Sequence, residues 1–108
     1  MKRKIKTYGG YFERFIEKLL PKELIKLNYL ISLLETNDRM PTKFIKYIRN
    51  GLYELRMEYK NNIYRVFFIF DKDSIVVLFN GFQKKTQKTP ENEINKALNI
   101  KEDYYANK

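Results

Sequence analysis

Residues 52–79 read LYELRMEYKNNIYRVFFIFDKDSIVVLF, and this stretch decides the fold. Over residues 52–59 apolar and polar side chains alternate, which is typical of a strand with one buried and one wet face. Residues 63–70 form an apolar run that only Arg65 interrupts, and residues 75–79 form a third, short run rich in β-branched side chains. Two segments rich in Asn, Asp and Lys separate the runs and suit turns. The stretch therefore predicts an antiparallel meander of three strands.

The alternation also assigns the two faces of the first predicted strand. Tyr53 shares one face with three other apolar residues, whereas Glu54, Arg56 and Glu58 share the other. A strand of this kind buries its apolar face and keeps its polar face in water. We therefore expect Arg56 to lie on the wet face.

Helical periodicity precedes the meander. In residues 12–20, apolar side chains recur at positions i, i+3, i+4, i+7 and i+8, the spacing of one helical stripe. Pro21 ends this helix and suits the first turn of a second one, which continues to about Glu35. Ile5 and Thr7 indicate a short opening strand. Residues 44–50 fit either a helical turn or a strand and are left unassigned.

A last helix follows the meander. Thr89 has the character of an N-cap, Pro90 of a first-turn residue and Glu91 of a first-turn acid. The predicted order is strand, helix hairpin, three strands and helix. This is an α+β domain, residues 1–108, in which we expect the helices to cover one sheet face.

The composition excludes several kinds of chemistry. The chain of 108 residues contains neither Cys nor His, so it has no disulfides, no thiolate nucleophile, no zinc site of the usual ligands and no imidazole acid or base. We expect no metal and no cofactor. No signal peptide and no apolar run of membrane-spanning length is visible, which favours a cytoplasmic protein without a membrane partner.

The net charge of +9 is distributed unevenly. Residues 1–50 carry 12 basic and 5 acidic groups (+7), residues 51–88 carry 7 and 4 (+3), and residues 89–108 carry 3 and 4 (−1). A small domain this basic favours a polyanionic partner such as nucleic acid, because Lys and Arg displace the counterions of phosphates. A merely solubilising surface, or an acidic protein partner, is the alternative.

Basic side chains follow the third apolar run and also interrupt the second. Lys84, Lys85 and Lys88 lie between the predicted strand and the last helix, either as a solvated loop or as a site. Arg65 lies in an apolar strand and needs an anion, because an unpaired buried charge is costly. That anion is either a carboxylate across the hairpin, Glu54 or Glu58, or an incoming phosphate. Tyrosines on these strands can stack on a base or simply pack.

Three motifs occur in order along the second half of the chain. They read G-L-x-E-L-R at residues 51–56, Y-R at 64–65 and G-F-x-K-K-T-x-K-T-P at 81–90. With this spacing, residues 51–105 resemble the phage-derived HigB branch of the RelE/ParE toxin superfamily. The first 50 residues resemble it only in their helix-hairpin pattern. The resemblance implies a RelE-like fold, in which an N-terminal strand and helix hairpin pack on the meander.

The resemblance also implies a function. It implies the toxin of a type II toxin-antitoxin pair, a ribosome-dependent mRNA endoribonuclease that inhibits translation, neutralised by a helix-turn-helix (HigA-like) antitoxin. Arg56 and Arg65 resemble the phosphate-facing arginines of the family, with Lys84 and Lys85 beside them. Family members often carry a His where this chain has Asn80, so a histidine acid or base has no place here.

A mechanism without histidine or metal fits this set of residues. The ribose 2′-hydroxyl attacks its own 3′ phosphate, Arg56 and Arg65 stabilise the added negative charge, and Lys84 or Lys85 transfers a proton. Lys88, Tyr53 and Tyr64 are predicted to bind substrate. The competing functions are a ParE-like inhibitor of DNA gyrase and a non-catalytic nucleic-acid-binding module.

Overall fold

The computed structural model describes residues 2–86 and 88–108, which form an α+β fold built on one five-stranded mixed sheet. Gln87, part of the third motif, lies outside the described residues. The elements, in chain order, are β1 (Lys4–Thr7), α1 (Tyr11–Ile16), α2 (Pro21–Thr36), β2 (Ile45–Arg49), β3 (Leu52–Tyr59), β4 (Asn62–Asp71), β5 (Ile75–Lys84) and α3 (Glu91–Ala106). This confirms the predicted fold class.

The sheet has the strand order β1-β5-β4-β3-β2. Strands β3, β4 and β5 form the predicted antiparallel meander, and β2 extends it with an antiparallel pair to β3. At the other edge β1 runs parallel to β5. The turn between β3 and β4 places Lys60 and Asn61 at positive φ, 47° and 69°, and Asn adopts this conformation more readily than most residues.

Helices cover both faces of the sheet, so the expectation of a single covered face is wrong. On one face, Leu27, Leu30 and Leu34 of α2 pack with Leu55 and Phe68 of the sheet. On the other face, α3 contributes a second apolar cluster. Its buried members are Leu52, Phe67, Ile69, Val77, Phe79, Phe82, Ile94, Ala97, Ile100 and Tyr104. The domain therefore has two cores, one on either side of the sheet.

Two local predictions need correction, and the segment left open forms a strand. Strand β5 does not end before Asn80 and Gly81 but passes through them to Lys84, with a register irregularity opposite β4. Residues 45–49, left unassigned above, form the edge strand β2. Helix α3 begins at Glu91 with Pro90 at the N-cap position, and the Thr89 hydroxyl donates to a carboxylate oxygen of Glu54 instead of capping the helix.

Gly81 permits the close approach of α1 to the sheet. A Cβ atom at this position would lie 2.5 Å from Cδ2 of Phe15. Such a contact is far inside van der Waals distance, so only glycine leaves room for the Phe15 ring. The first residue of the third motif therefore has a packing role.

Phenol–carboxylate hydrogen bonds attach α3 to the far end of the sheet. Tyr104 donates to Asp71 at 2.5 Å, and Asp71 also pairs with Lys108 at 2.7 Å. Tyr8 donates to Asp103 at 2.5 Å. Within the described part of the chain, no helix is both long and apolar enough to cross a membrane.

Candidate functional site

Arg56 and Arg65 lie directly opposite each other in the β3–β4 pair. Residues that face each other across a strand pair point to the same side of the sheet, here the side covered by α3. The Arg56 side chain keeps 34% of its surface exposed, whereas Arg65 keeps 5%. The structure thus brings the two predicted arginines together, one partly in solvent and one buried.

Glu54 supplies the anion between the two guanidinium groups. Its carboxylate is 1% exposed, and Oε1 lies 3.4 Å from Nε of Arg65 and 3.7 Å from Nε of Arg56. The second oxygen accepts a hydrogen bond from the Thr89 hydroxyl at 3.2 Å. The sequence left open whether the anion beside Arg65 is a carboxylate of the chain or an incoming phosphate. In the structure the buried Arg65 has a partner within the chain, the carboxylate of Glu54.

The expectation of a wet face on β3 is only half right. Arg56 reaches solvent, but Glu54 is buried because α3 and the segment before it cover this side of the sheet. Strand alternation identifies which side chains share a face, but it does not say whether another element covers that face.

Lys84 joins the arginine pair at the end of β5. It pairs with Ile63 of β4, two residues along the strand from Arg65, and therefore points to the same side. Lys84, Lys85 and the two arginines line an open groove of about 640 Å³ with Asn61 and Thr86. All four predicted catalytic residues thus lie around one basic concavity.

The environment of Lys84 lowers its pKa. Desolvation by burial is the largest cause, and the positive charge of Arg65 is the next. Glu54 opposes the shift, while Arg56 and Lys46 add to it. A lysine with a lowered pKa has a larger neutral fraction near neutral pH, which is the form that accepts a proton.

A second groove continues from the first, past Arg56 and Lys84. It measures about 440 Å³, and Lys88 lines it together with Lys46 and Arg49 of β2. Arg49 forms an ion pair with Glu91 at 2.9 Å, which joins β2 to the first turn of α3. Lys46 and Arg49 are not among the predicted site residues, because residues 44–50 had no assigned strand to orient their side chains.

Tyr53 and Tyr64, the other predicted substrate-binding residues, are not brought to this groove. Tyr53 stacks on Phe68, with ring centroids 5.6 Å apart, on the α2 side of the sheet. Tyr64 is 8% exposed on the same side, and its hydroxyl donates to Glu23 at 2.5 Å. Burial, followed by this hydrogen bond, raises the pKa of Tyr64 to about 12. Both tyrosines pack against other side chains of the protein, which is the alternative to stacking on a base.

Asn80 occupies a structural position. It is 2% exposed, and its amide nitrogen donates to the backbone carbonyl of Glu93 at 3.4 Å and to the carboxylate at 3.3 Å. These bonds attach the irregular part of β5 to the first turns of α3. Asn80 does not line either basic groove.

The described residues contain no group of three or more Asp and Glu side chains placed to hold a metal ion. The acidic residue nearest the arginines, Glu54, is already engaged by two guanidinium groups and a hydroxyl. The site is therefore built from cations around one buried carboxylate.

Residues 14–102 match the family described as "Phage derived protein Gp49-like (DUF891)". The chain belongs to this family. The Gp49-like family is a RelE/HigB-like toxin family, and such toxin families usually have an antitoxin partner. The match includes both arginines and the whole lysine-rich segment. A comparison with the curated proteins finds no match.

Proposed function

We propose that this Gp49-like protein is the toxin of a type II toxin-antitoxin system and cleaves mRNA on the ribosome. The observation that carries the proposal is the groove lined by Arg56, Arg65 and Lys84, in which both arginines pair with the buried Glu54. Such a groove binds a phosphodiester, and it offers both a charge stabiliser and a proton acceptor. Family membership supports the same conclusion.

The reaction is an internal transesterification of RNA. As the ribose 2′-oxygen forms a bond to the adjacent phosphorus, its proton passes to neutral Lys84. The bond from phosphorus to the 5′-oxygen of the next nucleotide breaks, and that oxygen takes a proton from the Lys85 ammonium group. The products are a 2′,3′-cyclic phosphate and a 5′-hydroxyl, so neither external water nor a metal ion enters the balance.

The two arginines have different roles in this mechanism. Arg56 has exposed surface and contacts the phosphate oxygens, where its planar fork stabilises the negative charge of the transition state. Arg65 is buried, and its Nη1 donates to the backbone carbonyl of Tyr64 at 3.0 Å. We infer that Arg65 acts through its fixed positive charge, which also lowers the pKa of Lys84.

Lys84 is the better candidate for the base of the two lysines. Its pKa is lowered by burial and by Arg65, whereas Lys85 is exposed at the outer end of the groove. Lys88, in the adjoining groove, binds a neighbouring phosphate. The proposed partners are the ribosome, held by the basic first half of the chain through salt-sensitive contacts, and a helix-turn-helix antitoxin.

The lowered pKa of Lys84 predicts the pH dependence of cleavage. Below its pKa the neutral fraction of a base rises tenfold per pH unit, so the logarithm of the rate should rise with slope one. Arg56→Gln loses its phosphate contact and should be slower at every pH, so its profile is compared relative to its own maximal rate. It also removes a positive neighbour and should raise the pKa of Lys84, which moves the rising limb of that normalised profile to higher pH. Single-turnover cleavage on programmed ribosomes between pH 6 and pH 9 measures this. If the rising limb of the Arg56→Gln profile lies at the same pH as that of the wild type, the assignment of Lys84 as the base is contradicted.

The function itself is tested by translation in vitro, followed by primer extension on the message. We expect discrete cuts within the translated region that require both the protein and ribosomes. Changes in DNA supercoiling without cuts would support the ParE-like gyrase inhibitor instead. If neither effect occurs and the protein binds RNA, it is a non-catalytic binding module.

A further inference from the structure

We propose that a pocket at the open edge of β3 binds a nucleotide of single-stranded RNA next to the cleaved phosphate. This inference rests on the proposed function and extends its substrate site. The pocket measures about 360 Å³ and lies between α2, the loop before β2, and β3. Its polar and aromatic lining consists of Lys26, Lys43, Phe44, Arg56, Glu58 and Arg65.

The pocket exists because β2 is shorter than β3. The β2–β3 pairing begins at Ile45 opposite Leu55, and one further bond joins the Arg56 N–H to the Phe44 carbonyl at 2.7 Å. Beyond that bond, no strand among the described residues pairs with residues 57–59 on this side. The edge of the sheet is therefore open just where the arginine pair lies.

Arg56 and Arg65 line both this edge pocket and the groove that contains Lys84 and Lys85. The two concavities therefore adjoin at the arginine pair, one on the side of β5 and the other at the open edge of β3. A nucleic-acid strand needs adjoining sites of this kind, because its phosphates recur along an extended backbone. An isolated phosphate or a single mononucleotide would need only one of the two concavities.

The charge in the edge pocket also fits a phosphate backbone. Lys26 and Lys43 add two ammonium groups to the arginine pair, against the carboxylate of Glu58 in the pocket and that of Glu54 between the arginines. The Lys26 ammonium group donates to the backbone carbonyl of Glu58, which positions it without neutralising its charge. The positive charges at the pocket thus outnumber the carboxylates that offset them.

Phe44 supplies the aromatic surface that a base requires. Its ring is partly buried against the α2-side core, which fixes its orientation. The Lys43 ammonium group lies over the ring, 4.9 Å from its centroid, so a base that stacks there displaces it toward the adjoining phosphate. An aromatic ring beside cations is the usual combination in sites for single-stranded nucleic acid, since every base has a face that can stack. We therefore assign the base to Phe44 and the adjoining phosphate to Lys26 and Lys43.

The test uses a fluorescent hexanucleotide whose riboses are 2′-O-methylated, so that it cannot be cut. Its binding is measured by anisotropy at several salt concentrations. Lys26→Ala with Lys43→Ala should weaken binding about tenfold and reduce the slope of log K against log salt by about 0.7, the value for one phosphate contact on a single strand. Phe44→Leu should weaken binding without changing that slope.

The matched control is Lys72→Asn with Lys96→Ala, which removes the same charge at positions that line neither the edge pocket nor the basic grooves. Asn suits the positive φ of Lys72, 59°, and Lys96 is an exposed residue of α3. We expect this control to bind like the wild type. Equal losses in both double variants would overturn the pocket, because charge alone would then explain the effect.

Primer extension on the same proteins separates failure of the pocket from failure of the proposed function. If the wild type cuts messages and the Lys26/Lys43 variant binds the hexanucleotide normally, the proposed RNA pocket is contradicted and the proposed nuclease function is supported. If the wild type cuts nothing while this variant alone loses binding, the proposed nuclease function is contradicted and the RNA pocket is supported. A wild-type protein that does not bind the hexanucleotide overturns the pocket.

Discussion

Lys84→Ala should lower the rate of ribosome-dependent mRNA cleavage by about 10²- to 10⁴-fold, the usual contribution of a positioned general base. The side chain is partly exposed, and no apolar core depends on it. The free energy of unfolding should therefore change by no more than about 0.5 kcal/mol. Initial rates on programmed ribosomes, together with urea unfolding curves, measure both quantities.

Lys72→Asn is the control for the loss of one positive charge, since Lys72 lies in the turn at the opposite end of β5. It should cleave at the wild-type rate. Lys84→Ala should still bind the proposed antitoxin, which shows that the fold is intact. Cleavage by Lys84→Ala within twofold of the wild-type rate would remove Lys84 from the mechanism.

Glu54→Ala should destabilise the protein by about 3–5 kcal/mol, because it leaves the buried Arg65 guanidinium without its anion. This loss is a large fraction of the stability of a small domain, so the variant is expected to unfold at much lower urea concentration. Arg65→Ala should be destabilised for the converse reason, since it leaves the Glu54 carboxylate without its closest cation.

A double replacement distinguishes the ion pair from simple loss of packing. Glu54→Leu with Arg65→Met fills the same space with apolar side chains and should recover most of the stability lost in either single variant. It should nevertheless fail to cleave RNA, because the positive charge beside Lys84 is gone. A double variant as unstable as Glu54→Ala would contradict the account of the buried pair.

Much of the sheet can be predicted from the sequence because its period is local. The strand over residues 52–59 is observed with the predicted bounds, as alternation and the following turn define it. The same alternation predicts that Arg56 shares a face with Glu54. It cannot predict that Glu54 is buried, because that depends on α3, which is distant in sequence.

Other features depend on tertiary pairing and are invisible locally. β2 has five residues, and its pairing with β3 is what makes it a strand. Asn80 and Gly81 end the third apolar run, yet the chain continues through them as β5, where Gly81 pairs with Val66 of β4. Lys46 and Arg49 lie on β2, so their contribution to the site could not be predicted while this segment had no assigned strand.

The most direct test of the central claim is end-group analysis of the message fragments that the wild-type protein produces on ribosomes. If a ribose 2′-hydroxyl attacks its own phosphate beside Lys84, the upstream fragment ends in a 2′,3′-cyclic phosphate, or the 3′-phosphate formed from it. The downstream fragment then begins with a 5′-hydroxyl. Mass spectrometry of the terminal nucleotides distinguishes these ends. Upstream fragments with a 3′-hydroxyl and downstream fragments with a 5′-phosphate would contradict the account, because those ends require an external water as nucleophile.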